Sequence, residues 1–395
     1  TVCMKFKSGD EKNLFGKSSL QPVAAAMLTR GTKTMTRSEI EDRMTELKMA
    51  GSITNFTTTR KNLPAALELV FDAMHNSIMP QDEFDQFKKQ MQVMLESMRD
   101  KPDALAQNAI TQHFNTYPKG DPRYEYSLGE SLEQLNKLTV DQVRAFYKEF
   151  GGTSRGEISI VGDFDPKAVE KIIRDDYAKY VSKAHYAPVV TEYRPVKATR
   201  VVIDTPDKEN AIIVARSVFP INDTAPDAPA LTVANWILGG GTGLSNRLIE
   251  RLRQKEGLSY GAGSHVRIPA KGDNGSFVFR AIVAPQNMLQ AEASARDVIA
   301  KAIKDGFTDQ EVEEAKKGLL QAMQVARSQD DVVARSWNDK MENQRTWVFS
   351  KKQAEAISKL TTADVNAALR KYIKPDEITF VLAGDQKKAA QKKQD

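Results

Sequence analysis

The chain is internally duplicated, and the duplication limits its possible architecture more than any other feature. Lys137-Leu138-Thr139 recurs as Lys359-Leu360-Thr361, an offset of 222 positions. Gly162-Asp163, which closes the run Ile158-Ser159-Ile160-Val161, recurs as Gly384-Asp385 after Phe380 to Ala383, again at 222. Upstream, the stretch from Pro80 through Lys88-Lys89 matches that from Thr308 through Lys316-Lys317 at 228. Gly31-Thr32 pairs with Gly241-Thr242 at 210, and Gly51 with Gly257 at 206. The matches keep their order and the offset drifts, as loop insertions between matched elements would make it. Two copies of one domain of about 190 residues each follow from this spacing. We place them at 1–185 and 199–395. The intervening stretch from Tyr186 to Ala198 carries Pro188 and Pro195, lacks helical periodicity and reads as a linker.

Each copy alternates strands with long amphipathic patterns. Ala65 to Ile78 predicts a helix with Leu67, Val70, Phe71 and Met74 on one face. Asp82 to Met98 predicts a second, with Phe84, Phe87, Met91 and Met94 or Leu95 as its inner stripe. Pro285 to Lys304 and Asp309 to Val325 are the equivalents in the second copy, and Thr139 and Thr361 cap a matched pair of later helices. Ser276 to Ala281 reads as a partly covered strand. The fold class expected is α+β, each copy a mixed sheet with helices packed on one face.

Composition excludes several classes. With 41% hydrophobic and 28% charged residues the chain is neither disordered nor fibrous. No apolar run reaches the ~18 residues of a membrane helix; the stretch from Leu231 to Leu238 is broken by Asn235. The lone cysteine, Cys3, excludes an internal disulfide and a cysteine-rich zinc module. A net charge of +5 spread along the chain is no signature of nucleic-acid binding, and the basic tail (Lys387, Lys388, Lys392, Lys393) reads as a solvated helix end. The chain opens directly in a strand-like segment, Thr1 to Lys7, without an initiating Met or a targeting pattern, and this predicts a processed or excised piece of something longer.

Most candidate chemistry is weak. His75, His113, His185 and His265 are isolated, and no HxxEH or HExxH spacing occurs. There is no GxSxG elbow, and Cys3 has no neighbouring histidine in sequence. The cluster Leu238 to Gly243 lacks the GK[ST] ending of a phosphate loop and follows a helical pattern, so it reads as a helix end and turn. Glu311 and Glu314 fall on a solvated helix face. The segment Gly243 to Tyr260 is different. Leu244, Leu248 and Leu252 recur at i+4, Ser245 is placed to cap, and Gly257 is a natural stop, so Arg253 lies in the last helical turn. Beyond it, Tyr260, Ala262, Ser264, Val266 and Ile268 alternate with Gly261, Gly263 and His265 along a strand. A helix end, a glycine stop and a strand start can return Arg253 and Tyr260 toward each other. The same spacing also fits a helix-end arginine and a packed tyrosine.

Leu252-Arg253-Gln254-Lys255-Glu256-Gly257-Leu258-Ser259-Tyr260 resembles the second-domain signature of the pitrilysin–insulinase family of inverted-motif zinc peptidases, which includes the mitochondrial processing peptidases. The resemblance extends over essentially the whole chain. It implies that two such domains form a half-shell, that two half-shells close around a peptide, and that Arg253 and Tyr260 contact the substrate carbonyl and its transition state. In the first domain the family carries His-x-x-Glu-His-Met-x-x-x-Gly-Thr. Here Met27, Gly31 and Thr32 keep that register, while Pro22 and Ala26 replace the histidine ligands and Ala25 the catalytic glutamate. Glu96 falls near the family's third ligand, but one carboxylate does not hold zinc alone. The resemblance therefore implies a half that binds no metal itself and works with a zinc-bearing partner half, on a separate chain or elsewhere in a precursor. The expected function is the non-zinc half of a two-part zinc metallopeptidase that degrades or processes peptides, inactive alone. The alternative is a catalytically inactive structural subunit of the same fold; a stand-alone peptide-binding module is a third reading that no feature supports. Family resemblance places such a chain in the periplasm or bacterial cell envelope.

Overall fold

The computed structural model describes residues 1–241 and 246–391. Thr242, Gly243, Leu244 and the predicted cap Ser245, together with Lys392 and Lys393 of the basic tail, lie outside the described residues. In chain order the first repeat begins with β1 (Val2–Phe6), α1 (Leu20–Met27), α2 (Arg37–Glu46), β2 (Ala50–Ser52) and β3 (Asn55–Thr57). It continues through α3 (Leu63–Asn76), α4 (Gln81–Met98), α5 (Pro102–His113), α6 (Leu128–Lys137), α7 (Val140–Phe150), β4 (Gly156–Ile160) and α8 (Pro166–Ile172). The second runs β5 (Arg200–Asp204), β6 (Ala211–Pro220), α9 (Ala228–Asn235), α10 (Arg247–Ile249), β7 (Ser259–Arg267) and β8 (Asn274–Val283). It ends with α11 (Met288–Asp305), α12 (Asp309–Ala326), α13 (Asp330–Glu342), α14 (Trp347–Lys359), α15 (Thr362–Tyr372), β9 (Thr379–Gly384) and α16 (Gln386–Gln391).

The repeats fold by the same local chemistry. Thr139 accepts a hydrogen bond from the Gln142 amide and Thr361 from the Asp364 amide, each completing a capping box at the start of α7 and α15. Behind each cap the apolar face is buried: Val140, Val143, Phe146 and Phe150 on α7, and Val365, Ala368, Leu369 and Tyr372 on α15. Each large side chain so removed from water contributes about 1.5–3 kcal/mol. No helix among the described residues is long and apolar enough to cross a membrane.

The chain forms two compact units. The first comprises residues 1–96, 117–189 and 325–347; the second comprises 97–116, 190–324 and 348–395. The break between residues 189 and 190 lies inside the expected linker. Contiguous domains at 1–185 and 199–395 differ from these units in one respect: α5 belongs to the second unit and α13 to the first.

In the first unit the sheet order is β2-β3-β1-β4, antiparallel throughout. One face packs on α3 and α7, with Val2, Met4, Leu67, Val70, Val143 and Phe146 in a common core. The other face carries α13. There the buried amide of Asn338 donates to the Cys3 carbonyl (2.9 Å) and bonds the Ser159 hydroxyl, joining α13 to β1 and β4. In the second unit the order is β5-β9-β6-β8-β7, and the parallel pair β5–β9 makes this sheet mixed. The central strand β6 is covered on both sides, which is why it reads as a nearly continuous apolar run. Ile213 and Ala215 join the main helical core, while Ile212 and Val214 meet Ala106 and Ile110 of α5. Asp103 at the start of α5 accepts from Arg280 at 2.7 Å. Helices thus cover one face of each sheet, and one additional helix from the other repeat covers the second face.

On α4 the predicted inner stripe is only partly internal. Phe84 is buried, whereas Phe87, Met91 and Leu95 are half-buried around an open pocket and Met94 is exposed.

Candidate functional site

Arg253 is carried by a wide helical turn. Asn246 caps α10, its side chain accepting from the Ile249 amide at 2.9 Å. After Ile249 the helix continues as a π-turn over Glu250–Lys255, a geometry often found at functional sites. Leu248 and Leu252 point into the core. Gly257 adopts φ +61°, the left-handed conformation of a helix stop, and the Leu258 amide donates back to the Leu252 carbonyl at 2.8 Å. Arg253 and Tyr260 therefore flank one hydrogen-bonded junction between helix and strand.

The charges of this turn are unequally used. Arg247 grips Glu311 through two nitrogens at 2.7 and 2.8 Å. This ion pair and the Thr308 amide hold the Glu311 carboxyl below its usual range against the opposing effect of burial, the largest single influence. Glu311 is thus a half-buried, ion-paired anchor for the helix, where the sequence suggested a solvated face. Arg251 pairs with Glu256, and Lys255 with Glu250. The Arg253 side chain is exposed and makes no ion pair or hydrogen bond with any described residue.

Tyr260 sits in a β-bulge. Ser259 is opposite Val283 and Gly261 opposite Ile282, so Tyr260 is the extra residue of β7. Alternation alone would put Tyr260 with Ala262, Ser264 and Val266 on the face that packs on the core. The bulge instead gives that inward position to Ser259, 7% exposed, and leaves Tyr260 65% exposed. This corrects the expected pattern along the strand, and Ile268 lies just past its end. The Ser259 hydroxyl fastens the bulge: Oγ accepts from the Gly261 amide (3.0 Å) and lies 2.7 Å from the Gly261 carbonyl and 3.0 Å from that of Ile282. Sequence reasoning missed Ser259; a glycine directly after the tyrosine in a strand was the available signal.

Beside Tyr260, Gly261, Gly263, His265, Val278, Arg280 and Ile282 line a shallow groove on the face of the sheet opposite the main core. Gly239, in the glycine cluster before α10, has a packing explanation. A Cβ on Gly239 would lie 2.7 Å from the Ser264 amide nitrogen of β7, so a side chain there would force the helix off the strand.

The first unit presents a contrasting surface where the resemblance places a degenerate zinc motif. Val23, Ala24, Met27 and Leu28 turn into the core; Pro22 and Ala25 are exposed and Ala26 half-buried. Pro22 and Ala26 line the open apolar pocket bounded by α4. None of these three side chains has a donor atom for a metal, and Glu96 lies on the exposed end of α4, so the residues present do not fit a zinc ion. Among the described residues no group of three or more His, Cys, Asp or Glu is placed to hold one. The remaining histidines serve locally. His75 stacks on Phe71 at 5.2 Å, His113 bonds the Lys197 carbonyl at 2.9 Å, and His185 meets Asp10 at 2.9 Å. Burial pushes the Cys3 thiol up, away from nucleophile chemistry.

The sequence and the fold both match known proteins. Residues 137–319 match the family described as Peptidase M16 inactive domain. A protein named as an uncharacterized zinc protease of Mycobacterium tuberculosis is 26% identical over 65% of this chain, and the match spans 57% of that protein's length. A Helicobacter pylori protein named as a non-peptidase homolog is 20% identical over 98% of this chain and 89% of its own. Among solved structures, a peptidase M16 inactive domain from Pseudomonas fluorescens superposes with TM-score 0.80 at 21% identity, covering 97% of this chain and 92% of that one. The periplasmic protease PqqL of Escherichia coli superposes with TM-score 0.69 at 14% identity, covering 97% of this chain but 42% of PqqL. The chain thus resembles the M16 inactive domain over residues 137–319, and its fold is that of the M16-type halves among the solved structures.

Proposed function

We propose that this chain is the non-zinc half of a two-part peptidase that degrades or processes peptides, and that it supplies Arg253 and Tyr260 to a peptide held by a zinc-bearing half. The observation that carries the reading is the exposure of both side chains from one tightly fastened junction. Tyr260 is displaced to solvent by a bulge, and Arg253 has no partner among the described residues while Arg247, Arg251 and Lys255 around it are paired. A phenol and a guanidinium presented together are suited to donate hydrogen bonds to a peptide carbonyl as it gains negative charge, and such donors act most strongly where water is excluded. The metal chemistry belongs to the partner in this reading. PqqL supports the pairing, since this chain corresponds to less than half of its length.

A second reading, an inactive structural subunit of the same fold, is favoured by the H. pylori relative, which is named as a non-peptidase homolog. One experiment separates the two. The chain is combined with its zinc-bearing half, and kcat, KM and partner affinity are measured for wild type, Tyr260→Phe and Arg253→Ala. In the catalytic reading each variant loses roughly 10²–10³-fold in kcat, with KM and partner affinity little changed. Full kcat in both variants, with only assembly affected, would establish the structural reading.

A further inference from the structure

The apolar pocket of the first unit has no role in the function proposed above. Its volume is about 650 Å³, within the range of sites that enclose a small ligand. Pro22 and Ala26 form one side; Phe87, Met91 and Leu95, one turn apart along α4, form another. These three belong to a stripe that in an ordinary core helix would be buried, and here only Phe84 is. Tyr124 and Tyr126, edge to face at 5.1 Å, complete the wall. That wall is preorganised. The Tyr124 hydroxyl lies 3.0 and 3.1 Å from the two Glu130 oxygens, and Glu130 is fixed by Lys119 (2.8 Å) and the Ser127 amide (3.0 Å). Arg30 covers Phe87 at 5.3 Å from its ring and is held by Glu83.

The chemistry of the lining selects the occupant. No basic side chain lines the pocket, and Glu125 is its one charged group, so a phosphate, a nucleotide or an acidic side chain has nothing to pair with. The lining also includes neutral amide and hydroxyl side chains, Gln21, Ser131 and Gln134, which match peptide N–H and C=O groups. We propose that this pocket is a peptide subsite that takes an aromatic side chain of an extended peptide, its backbone held by these amide and hydroxyl groups. The inference rests on the peptide-handling reading for its ligand class but not on Arg253, Tyr260, zinc or a partner.

The test uses the full chain alone. Binding of the blocked pentapeptide acetyl-Gly-Ala-Phe-Ala-Gly-amide is followed by titration calorimetry and amide chemical shifts, beside the same peptide with Lys, Glu or Ala at the centre, and beside laurate. The expected result is saturable binding of the Phe peptide, at least tenfold tighter than the other three peptides, with shifts at Ala26, Met91 and Tyr124. Ala26→Trp fills the pocket and Met91→Glu places a carboxylate in its wall. Each should weaken the Phe peptide at least tenfold. Met91 is half-buried, so the second variant keeps the test available if the first does not fold. No preference for the Phe peptide, unchanged affinity in a folded pocket variant, or binding of laurate without the peptide would overturn the proposal. Loss of the catalytic role of Arg253 and Tyr260 would leave this result untouched, which keeps the two failures distinct.

Discussion

Replacing Ser259 with alanine removes one hydroxyl and tests how the exposed position of Tyr260 is maintained. Ser259 is 7% exposed, and its Oγ is shared among the Gly261 amide at 3.0 Å, the Gly261 carbonyl at 2.7 Å and the Ile282 carbonyl at 3.0 Å. The bulge interrupts the ladder here, since Tyr260 has no residue opposite it on β8. Alanine would leave the Gly261 amide and at least one carbonyl unpaired in a poorly solvated place. Such a loss costs about 1–3 kcal/mol, and alanine matches the serine volume closely enough that no large cavity adds to it. For a unit of roughly 200 residues each kcal/mol lowers the melting temperature by about 2–4 °C. The second unit of Ser259→Ala should therefore melt about 2–12 °C below wild type, with faster exchange at the Gly261 amide. Tyr260→Phe is the control one residue away. Its hydroxyl has no partner among the described residues, so its stability should remain within about 0.5 kcal/mol of wild type. Calorimetry and amide exchange read both quantities. Unchanged melting and unchanged Gly261 exchange in Ser259→Ala would show that the hydroxyl does not hold the bulge.

Three further outcomes follow. The Glu130 carboxyl is held down to about 2 by Lys119, by the Ser127 amide and hydroxyl and by Tyr124. Its folded value lies below its unfolded value, so the stabilisation is complete above about pH 4.5 and is lost as pH falls through about 2. Glu130→Gln should thus melt below wild type at pH 7 by the equivalent of roughly 1–2 kcal/mol, a capping-box loss, and the gap should close in acid; a gap independent of pH would contradict the ion pairing. Asn338→Ala removes the amide that joins α13 to Cys3 and Ser159, and should lower the unfolding midpoint by the equivalent of about 2–4 kcal/mol while loosening amide exchange along α13. An unchanged midpoint would mean that α13 docks without it. Finally, the purified chain equilibrated with zinc should retain no stoichiometric metal after gel filtration, because Pro22, Ala25 and Ala26 offer no ligand atoms; one tightly held equivalent by metal analysis would refute that.

The sequence by itself determined the local elements and their duplication. Helix and strand periods, the caps at Thr139 and Thr361 and the glycine stop at Gly257 depend on neighbours within a turn or two, and both repeats carry them. It also marked Arg253 and Tyr260 as a pair, through spacing and family resemblance, and showed that the zinc-motif positions hold Pro22, Ala25 and Ala26. The tertiary structure decided what those elements face. Ala106 and Ile110 make an apolar stripe on α5, but a stripe does not say which sheet it will cover, and the sheet it meets belongs to the other repeat. The stripe of α4 has the same period whether it enters a core or borders an open pocket; only the surrounding elements leave Phe87, Met91 and Leu95 accessible. The bulge at Tyr260 shifts the two-residue alternation by one, so the residue that periodicity turns inward is turned out. Each of these depends on long-range packing, which brings distant residues together and is not encoded in the spacing of near ones.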